Sequence, residues 1–371
     1  MKALFKSIAC LRCASPYPKE AIVFRCPNCG GIYDFIDVPN FSIDLIDPNL
    51  KGVWRYRQII GFEDQDDIIT LGEGNTPLIW DKVDGVSVGF KLEYLNPTAS
   101  FKDRGSTVLV SLLHASGIKQ AVEDSSGNAG ASFSAYASRA GIKARIFVPQ
   151  TASGPKRAQI IACGATIVLV PGSRSQVTAA LLDNILEAEV YASHVFQPFG
   201  ISGYATIAYE LFEEMHEEPG SIVCPVGQGG LILGMSLGFQ ALLNSGLISR
   251  MPELIGVQAQ PCAPLWARYQ YGDLAQLITG AGETIAEGIR IDRPVRADKI
   301  LQAIKVSQGR IIAVAESDIL PGRDQLARRG FYVEPTSAVV WPAIEALKNQ
   351  IREPIIAILT GAGYKYSSEV I

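Results

Sequence analysis

The chain has 371 residues, 48% of them hydrophobic and 19% charged, with 35 glycines and 21 prolines. That composition excludes wholesale disorder, collagen and coiled coil, and the length suits two or three domains, each with its own core. With 33 lysines and arginines against 37 acidic residues, the net charge of −4 argues against wrapping nucleic acid or docking on an anionic membrane, and no apolar run reaches the ~18–20 residues of a membrane span. Lys2 and Lys6 open the chain, but Cys10, Arg12 and Cys13 interrupt the apolar stretch behind them. No signal peptide is read, and a cytoplasmic protein is expected.

Four of the seven cysteines, Cys10, Cys13, Cys26 and Cys29, form two C-x-x-C pairs separated by a 12-residue spacer. Two such knuckles suit one tetrahedral Zn²⁺ in a zinc-ribbon-like module over residues 1–36. Four thiolates leave no open coordination position, so this zinc would be structural; buried cysteines without metal are the alternative. Cys163, Cys224 and Cys262 read as core thiols.

Residues 36–60, with Pro39, Pro48, Trp54 and Tyr56, show no period and read as a wrapping arm. Beyond them, short β-branched runs are predicted as strands at 86–91, 143–148, 166–170, 221–225, 254–258 and 355–359. Helical periods stand between them at 105–114, 129–140, 155–162, 176–189, 204–216, 231–243 and 338–348. This alternation predicts an α/β fold of doubly wound parallel sheets covered by helices on both faces. Ligands in such folds sit at the carboxyl ends of strands, where glycine-rich turns lead into helices.

Four segments have that form. In Asn96-Pro97-Thr98-Ala99-Ser100-Phe101-Lys102-Asp103-Arg104-Gly105, Ser100 and Asp103 have the spacing of a capping box, which puts Lys102 in the first turn of a helix. The positive end of the helix dipole there favours an uncharged, nucleophilic amine. Ser125-Ser126-Gly127-Asn128 would expose successive N–H groups before a helix spanning 131–139, a cradle suited to a carboxylate; a plain strand-to-helix turn with Asn128 as cap is the alternative. Pro225-Val226-Gly227-Gln228-Gly229-Gly230-Leu231 would close around a phosphate, yet it lacks both the dinucleotide fingerprint and the Lys-Ser/Thr of a nucleotide loop. Thr360-Gly361-Ala362-Gly363 offers a neutral hydroxyl to a ring nitrogen. One lysine, an anion cradle, a phosphate cradle and a neutral hydroxyl together describe a site for pyridoxal 5′-phosphate.

Together with Gly72-Glu73-Gly74-Asn75-Thr76-Pro77-Leu78, Lys156-Arg157-Ala158-Gln159, Gly164-Ala165 and Glu334-Pro335-Thr336-Ser337-Ala338, these segments resemble the fold type II pyridoxal-phosphate enzymes, and among them the threonine synthases most closely. They stand in the family's order over about 290 residues, and the paired cysteines are similar to those many threonine synthases carry. The resemblance implies that Lys102 carries the cofactor and shuttles protons among the substrate Cα, Cβ and Cγ. It implies that Asn128 bonds the cofactor's 3′-oxygen, that Ser125, Ser126 and Gly127 hold the substrate carboxylate, and that Gly227, Gln228, Gly229, Gly230 and Leu231 bind the cofactor phosphate through N–H groups. Thr360 would face the pyridine nitrogen, and a hydroxyl there favours elimination and replacement over transamination.

The resemblance further implies a threonine synthase reaction, in which O-phosphohomoserine loses phosphate and gains water. A homodimer is expected, with each active site between two domains of one chain: a larger one of residues 37–89 and 201–371, and a small mobile one of 90–200 carrying Lys102. The stretch Gln197-Pro198-Phe199-Gly200-Ile201-Ser202-Gly203-Tyr204-Ala205-Thr206 departs from the synthase pattern N-P-x-R-x-E-G-x-K-T, with Gly200 in place of a phosphate-binding arginine. Lys156, taken as substrate-binding, and Arg157, Arg174 or His194 are candidates to replace that charge. Thr284-Ile285-Ala286-Glu287-Gly288-Ile289 is equally similar to threonine and serine dehydratases, and the end has Ala362 and Tyr364 where synthases carry His and Leu. A dehydratase or a β- or γ-replacement enzyme with another leaving group therefore stays open, as does a zinc-ribbon interaction protein with a silent catalytic domain. His114, His194 and His216 lack ligand spacing and read as surface or core residues, and Glu213, Glu214, Glu217 and Glu218 as a solvated face.

Overall fold

The computed structural model describes residues 2–150, 154–172, 174–215, 217–272 and 282–366. In chain order the elements are α1 (Lys2–Lys6), β1 (Ile8–Cys10), β2 (Tyr33–Phe35), β3 (Leu78–Val83), β4 (Val86–Lys91), α2 (Lys102–Ala115), β5 (Gln120–Glu123) and α3 (Asn128–Arg139). There follow β6 (Lys143–Pro149), α4 (Pro155–Ala162), β7 (Thr166–Val170), α5 (Arg174–Asn184), β8 (Val190–Tyr191), α6 (Gly200–Glu214), β9 (Ser221–Pro225) and α7 (Gly230–Asn244). The chain continues through β10 (Glu253–Ala259), α8 (Pro264–Tyr271), α9 (Ala297–Val306), β11 (Arg310–Val314), α10 (Glu316–Ala327), α11 (Pro335–Ala338), α12 (Val340–Leu347) and β12 (Ile355–Ile358). No helix among the described residues is long and apolar enough to cross a membrane.

The chain divides into two compact units, one comprising Met1–Gly74 and Asn96–Tyr204, the other Asn75–Leu95 and Ala205–Tyr366. The first unit has a parallel sheet in the order β7-β6-β5-β8. β1 and β2 form a separate antiparallel ribbon under the cysteine knuckles. The arm through residue 74 falls in this unit rather than with the larger domain assigned from sequence, because it is pinned to α2. Trp54 Nε1 donates to Thr107 Oγ1 at 2.9 Å, and Ile69 N donates to Ser111 Oγ at 2.8 Å. α5 ends at Asn184, short of the expected 189, because Glu189 is drawn out of the helix to accept from Arg145 Nε and from Leu186 N.

The second unit has a six-stranded sheet in the order β11-β10-β9-β12-β4-β3, parallel except where β3 pairs antiparallel with β4. β9 and β12 are buried along their whole length, which is why they read as unbroken apolar runs. Their side chains join Phe90, Val257, Ile319, Leu326, Trp341 and Ile344 in one core. α6 begins at Gly200, four residues before the expected start. Its acidic end is not merely solvated: Glu214 and Glu210 both pair with Lys91 Nζ, at 2.7 and 3.0 Å, and Lys91 has no exposed surface. The architecture is the α/β one expected, with two wound sheets and a cysteine-bearing N-terminal module.

Candidate active site

In the first unit, Lys102 is the first residue of α2, half-buried, its Nζ lying 4.7 Å from the Phe101 ring centroid. The helix start is built differently from a capping box. Asp103 turns its carboxylate back to Thr98, accepting from its N–H at 2.6 Å and from its hydroxyl, and also from Ser132 Oγ at 2.6 Å. Ser100 Oγ is buried with no hydrogen-bond partner among the described residues. Ala99 preceding it holds a left-handed φ of 65°, a strained conformation for a residue with a Cβ. A buried hydroxyl without a partner among the described residues and a strained turn thus stand together beside the lysine.

The Ser125-Ser126-Gly127 turn joins β5 to α3, with Ser125 Oγ accepting from Gly127 N at 3.2 Å. α3 starts at Asn128 with Gly127 as its cap, so Asn128 is a first-turn residue and not the cap read from sequence. The leading N–H groups of α3 have no intrahelical acceptors and suit a carboxylate. Lys156 and Arg157 are half-buried in the first turn of α4, which packs on α3. His194 contacts Glu123 through Nδ1. His216 and the side chain of Arg174 lie outside the described residues. Gly200 faces α2: a Cβ built on it would lie 3.3 Å from the Gly105 Cα, so this position points into helix packing.

In the second unit, β9 runs through Val226-Gly227-Gln228-Gly229 into α7. Gly229 has φ +85°, and a Cβ there would stand 2.2 Å from Ile300 Cδ1, so any other residue would strain the backbone and displace the Ile300 side chain. Gln228 Oε1 accepts from Val295 N at 3.2 Å, and Gly227 rests against Gly288 and Ile289. The N–H groups of Gly230 and Leu231, in the first turn of a 15-residue helix, have no intrahelical acceptors. A glycine turn leading into a helix N-terminus in this way is suited to a phosphate.

Two runs that sequence reasoning matched to a family without assigning roles support it. Gly288 N donates to Thr336 Oγ1 at 2.9 Å, and Thr360 N donates to Ser337 Oγ at 2.9 Å. Thr360 lies just past the end of β12, 2% exposed, and its Oγ1 has no hydrogen-bond partner among the described residues. A buried hydroxyl in that condition costs free energy unless a ligand supplies the missing partner.

The cysteine module repeats one turn twice. Cys10 N donates to Ser15 O and Ala14 N to Cys10 O; Cys26 N donates to Gly31 O and Gly30 N to Cys26 O. Ala14 and Gly30 share a left-handed φ, 59° and 71°. The sulfurs of Cys10 and Cys29 are 3.5 Å apart, those of Cys13 and Cys26 3.6 Å, and all four lie within 4.8 Å of one another. A tetrahedron with Zn–S of ~2.3 Å has S–S edges of about 3.8 Å, so the donor set fits zinc.

Residues 69–361 match the family of pyridoxal-phosphate dependent enzymes. The chain belongs to that family. It is 33% identical to a threonine synthase of Methanocaldococcus jannaschii over 96% of this chain and 92% of that protein. A threonine deaminase of T.th. superposes with a TM-score of 0.63 at 25% identity, covering 79% of this chain and 94% of that one. A fungal L-serine ammonia-lyase from Rhizomucor miehei shares the fold, with a TM-score of 0.68 at 20% identity over 80% and 95% of the two chains. The protein is thus a pyridoxal-phosphate-dependent lyase, which sets aside a silent catalytic domain. The residues present fit the cofactor: the partnerless Thr360 hydroxyl suits its ring nitrogen, and the glycine turn at 227–231 suits its phosphate.

Proposed function

We propose that the protein is a threonine synthase, eliminating phosphate from O-phosphohomoserine and adding water to give threonine. The observation that carries the reaction type is Thr360, a buried hydroxyl where a carboxylate would protonate the cofactor's ring. A neutral contact there limits the ring's electron withdrawal and favours elimination and replacement. The substrate rests on the similarity to threonine synthase across nearly the whole chain.

Bound pyridoxal phosphate supplies the electron sink. Lys102 holds the cofactor and moves protons at the substrate Cα, Cβ and Cγ. Asn128 bonds the cofactor's 3′-oxygen, Gly227, Gln228, Gly229, Gly230 and Leu231 hold its phosphate, and Thr360 meets the ring nitrogen as a neutral partner. Ser125, Ser126 and Gly127 hold the substrate carboxylate, with Lys156 as a further substrate contact. Cys10, Cys13, Cys26 and Cys29 bind a structural zinc ion, and the protein works as a homodimer.

A second reading is supported by Gly200, which stands where the synthase pattern has a phosphate-binding arginine and where even a Cβ would make a tight contact, 3.3 Å from Gly105 Cα. On that reading the same scaffold is a dehydratase or a β- or γ-replacement enzyme acting on another leaving group. Incubating the cofactor-loaded protein with O-phosphohomoserine and measuring threonine, 2-oxobutyrate and phosphate together separates the two. Equal threonine and phosphate establish the synthase. Neither product, with the cofactor bound, rejects it in favour of the second reading.

A further inference from the structure

A cysteine module of about 36 residues is too small to bury a sufficient core of its own and must lean on its neighbours as well as on a metal. Within the first unit, what it leans on is the segment from β8 to the start of α6. Tyr33 is the cross-strand partner of Cys10 in the β1–β2 ribbon, and the Tyr17 ring meets it edge-on at 4.6 Å. Tyr17 and Phe5 both meet the wholly buried Phe199 edge to face, at 5.0 and 5.6 Å, and Tyr17 Oη lies 3.3 Å from Gln197 Oε1. The second knuckle reaches the same segment: just before Cys26, Phe24 packs on Tyr191 and Phe196, and the Arg25 guanidinium covers the Phe196 ring at 4.6 Å.

Phe199 runs directly into α6, whose first turn is set backbone to backbone against the first turn of α2. A Cβ on Gly203 would stand 1.9 Å from Arg104 O, and one on Gly200 3.3 Å from Gly105 Cα. The Tyr204 ring lies 5.2 Å from that of Phe101, and a Cβ on Gly105 would stand 2.5 Å from Tyr204 Oη. Lys102 Nζ lies 4.7 Å from the centroid of that same Phe101 ring. With no side chain between the two backbones, a shift at Phe199 meets nothing soft that could absorb it before it reaches Lys102.

We infer that the cysteine module positions Lys102, and that Tyr17 and Phe199 are the positioning residues through which it sets the first turn of α2. The inference rests on the reading of Lys102 as the lysine that carries the cofactor. Tyr17 and Phe199 act by fixing where its amine stands.

Pyridoxal phosphate and pyridoxine phosphate separate positioning from plain stability. Both bring the same ring and phosphate, but only the aldehyde of the first can condense with a lysine amine, releasing water. The ratio of their affinities, followed by protein fluorescence, therefore reads the setting of the lysine. The wild type is expected to prefer pyridoxal phosphate, and Cys26→Ser, Tyr17→Leu and Phe199→Leu each to lose roughly tenfold of that preference while pyridoxine phosphate binds as before. Tyr17→Phe, which keeps the ring, should retain most of it. Phe147→Leu, which changes a buried ring of β6, two strands from β8 in the same unit, should leave the preference whole. Cys26→Ser and Phe199→Leu combined should lose no more than either alone, because they act along one route. Equal weakening of both ligands by Cys26→Ser and Phe199→Leu, additive losses in the combined variant, or the same loss in Phe147→Leu overturns the inference. A wild type indifferent between the two ligands fails the reading of Lys102 itself, and the inference with it.

Discussion

Replacing Gly229 by alanine attacks the phosphate cradle at its tightest point. Two costs arise from the geometry. The left-handed φ of +85° penalises any Cβ by ~1–2 kcal/mol. The new methyl would also stand 2.2 Å from Ile300 Cδ1 and 2.6 Å from its Cγ1, and relieving that overlap costs ~1–3 kcal/mol. Gly229→Ala should therefore destabilise the protein by about 2–5 kcal/mol and weaken cofactor binding, since the strained turn is the one that presents N–H groups to the phosphate. Ile300→Ala alone removes a wholly buried side chain and costs ~2–5 kcal/mol. In the double variant the nearest remaining atom would be Ile300 Cβ at 4.0 Å, an ordinary contact, so the overlap vanishes while the φ penalty persists. The double variant should thus be more stable than the sum of the singles predicts by ~1–3 kcal/mol, measurable as a coupling in urea unfolding with parallel titration by pyridoxal phosphate. Strict additivity, or a Gly229→Ala protein that binds the cofactor like the wild type, would refute the assignment.

Thr360→Asp puts a carboxylate at the buried end of β12; the bound cofactor's spectrum should shift and elimination should slow at least tenfold, whereas unchanged turnover would count against the contact with the ring nitrogen. Metal analysis should find one zinc per chain, lost in Cys26→Ser together with several degrees of thermal stability; a metal-free wild type of full stability would disprove the zinc site. Burial opposes ionisation of Glu189, but the hydrogen bonds and charge of Arg145 and the N–H of Leu186 outweigh it and hold the carboxyl below its ordinary value. Its contribution is therefore fully present above the ordinary glutamate value of ~4.3 and lost as pH falls through the lower folded value. Stability-against-pH curves for Glu189→Gln should show a shallower acid limb than wild type, and identical limbs would exclude the pair as a source of acid sensitivity.

The segments legible in the sequence are those whose chemistry is contiguous. Lys102, the Ser125-Ser126-Gly127-Asn128 turn, the 225–231 loop and Thr360 each lie within a few residues of a strand end or helix start, and the two cysteine knuckles are complete in themselves. What escaped reading depends on pairing between distant residues. His194 and Glu123 are 71 residues apart and meet because β8 pairs with β5. Glu214 meets Lys91 across 123 residues, which converts a seemingly solvated acidic face into part of a buried ion cluster. Asp103 had two serine or threonine partners within reach in sequence, and its choice of Thr98 over Ser100 follows from the left-handed turn at Ala99. Among the elements beyond the cysteine module, β3, β8, α8, α9, β11, α10 and α11 have no counterpart in the strands and helices read from sequence. α10 carries Pro321 in its interior, a residue that reads as a helix break. β3 is an edge strand with Ile79 and Trp80 exposed, without the apolar run of an interior strand.

The central claim, that Lys102 carries the pyridoxal phosphate with which this lyase works, is tested most directly by reducing the cofactor-loaded protein with borohydride and mapping its peptides by mass spectrometry. The account predicts a single pyridoxyl group, on Lys102, and none in Lys102→Ala. A pyridoxyl group on another lysine, or none on Lys102 in protein that has demonstrably bound the cofactor, would contradict it.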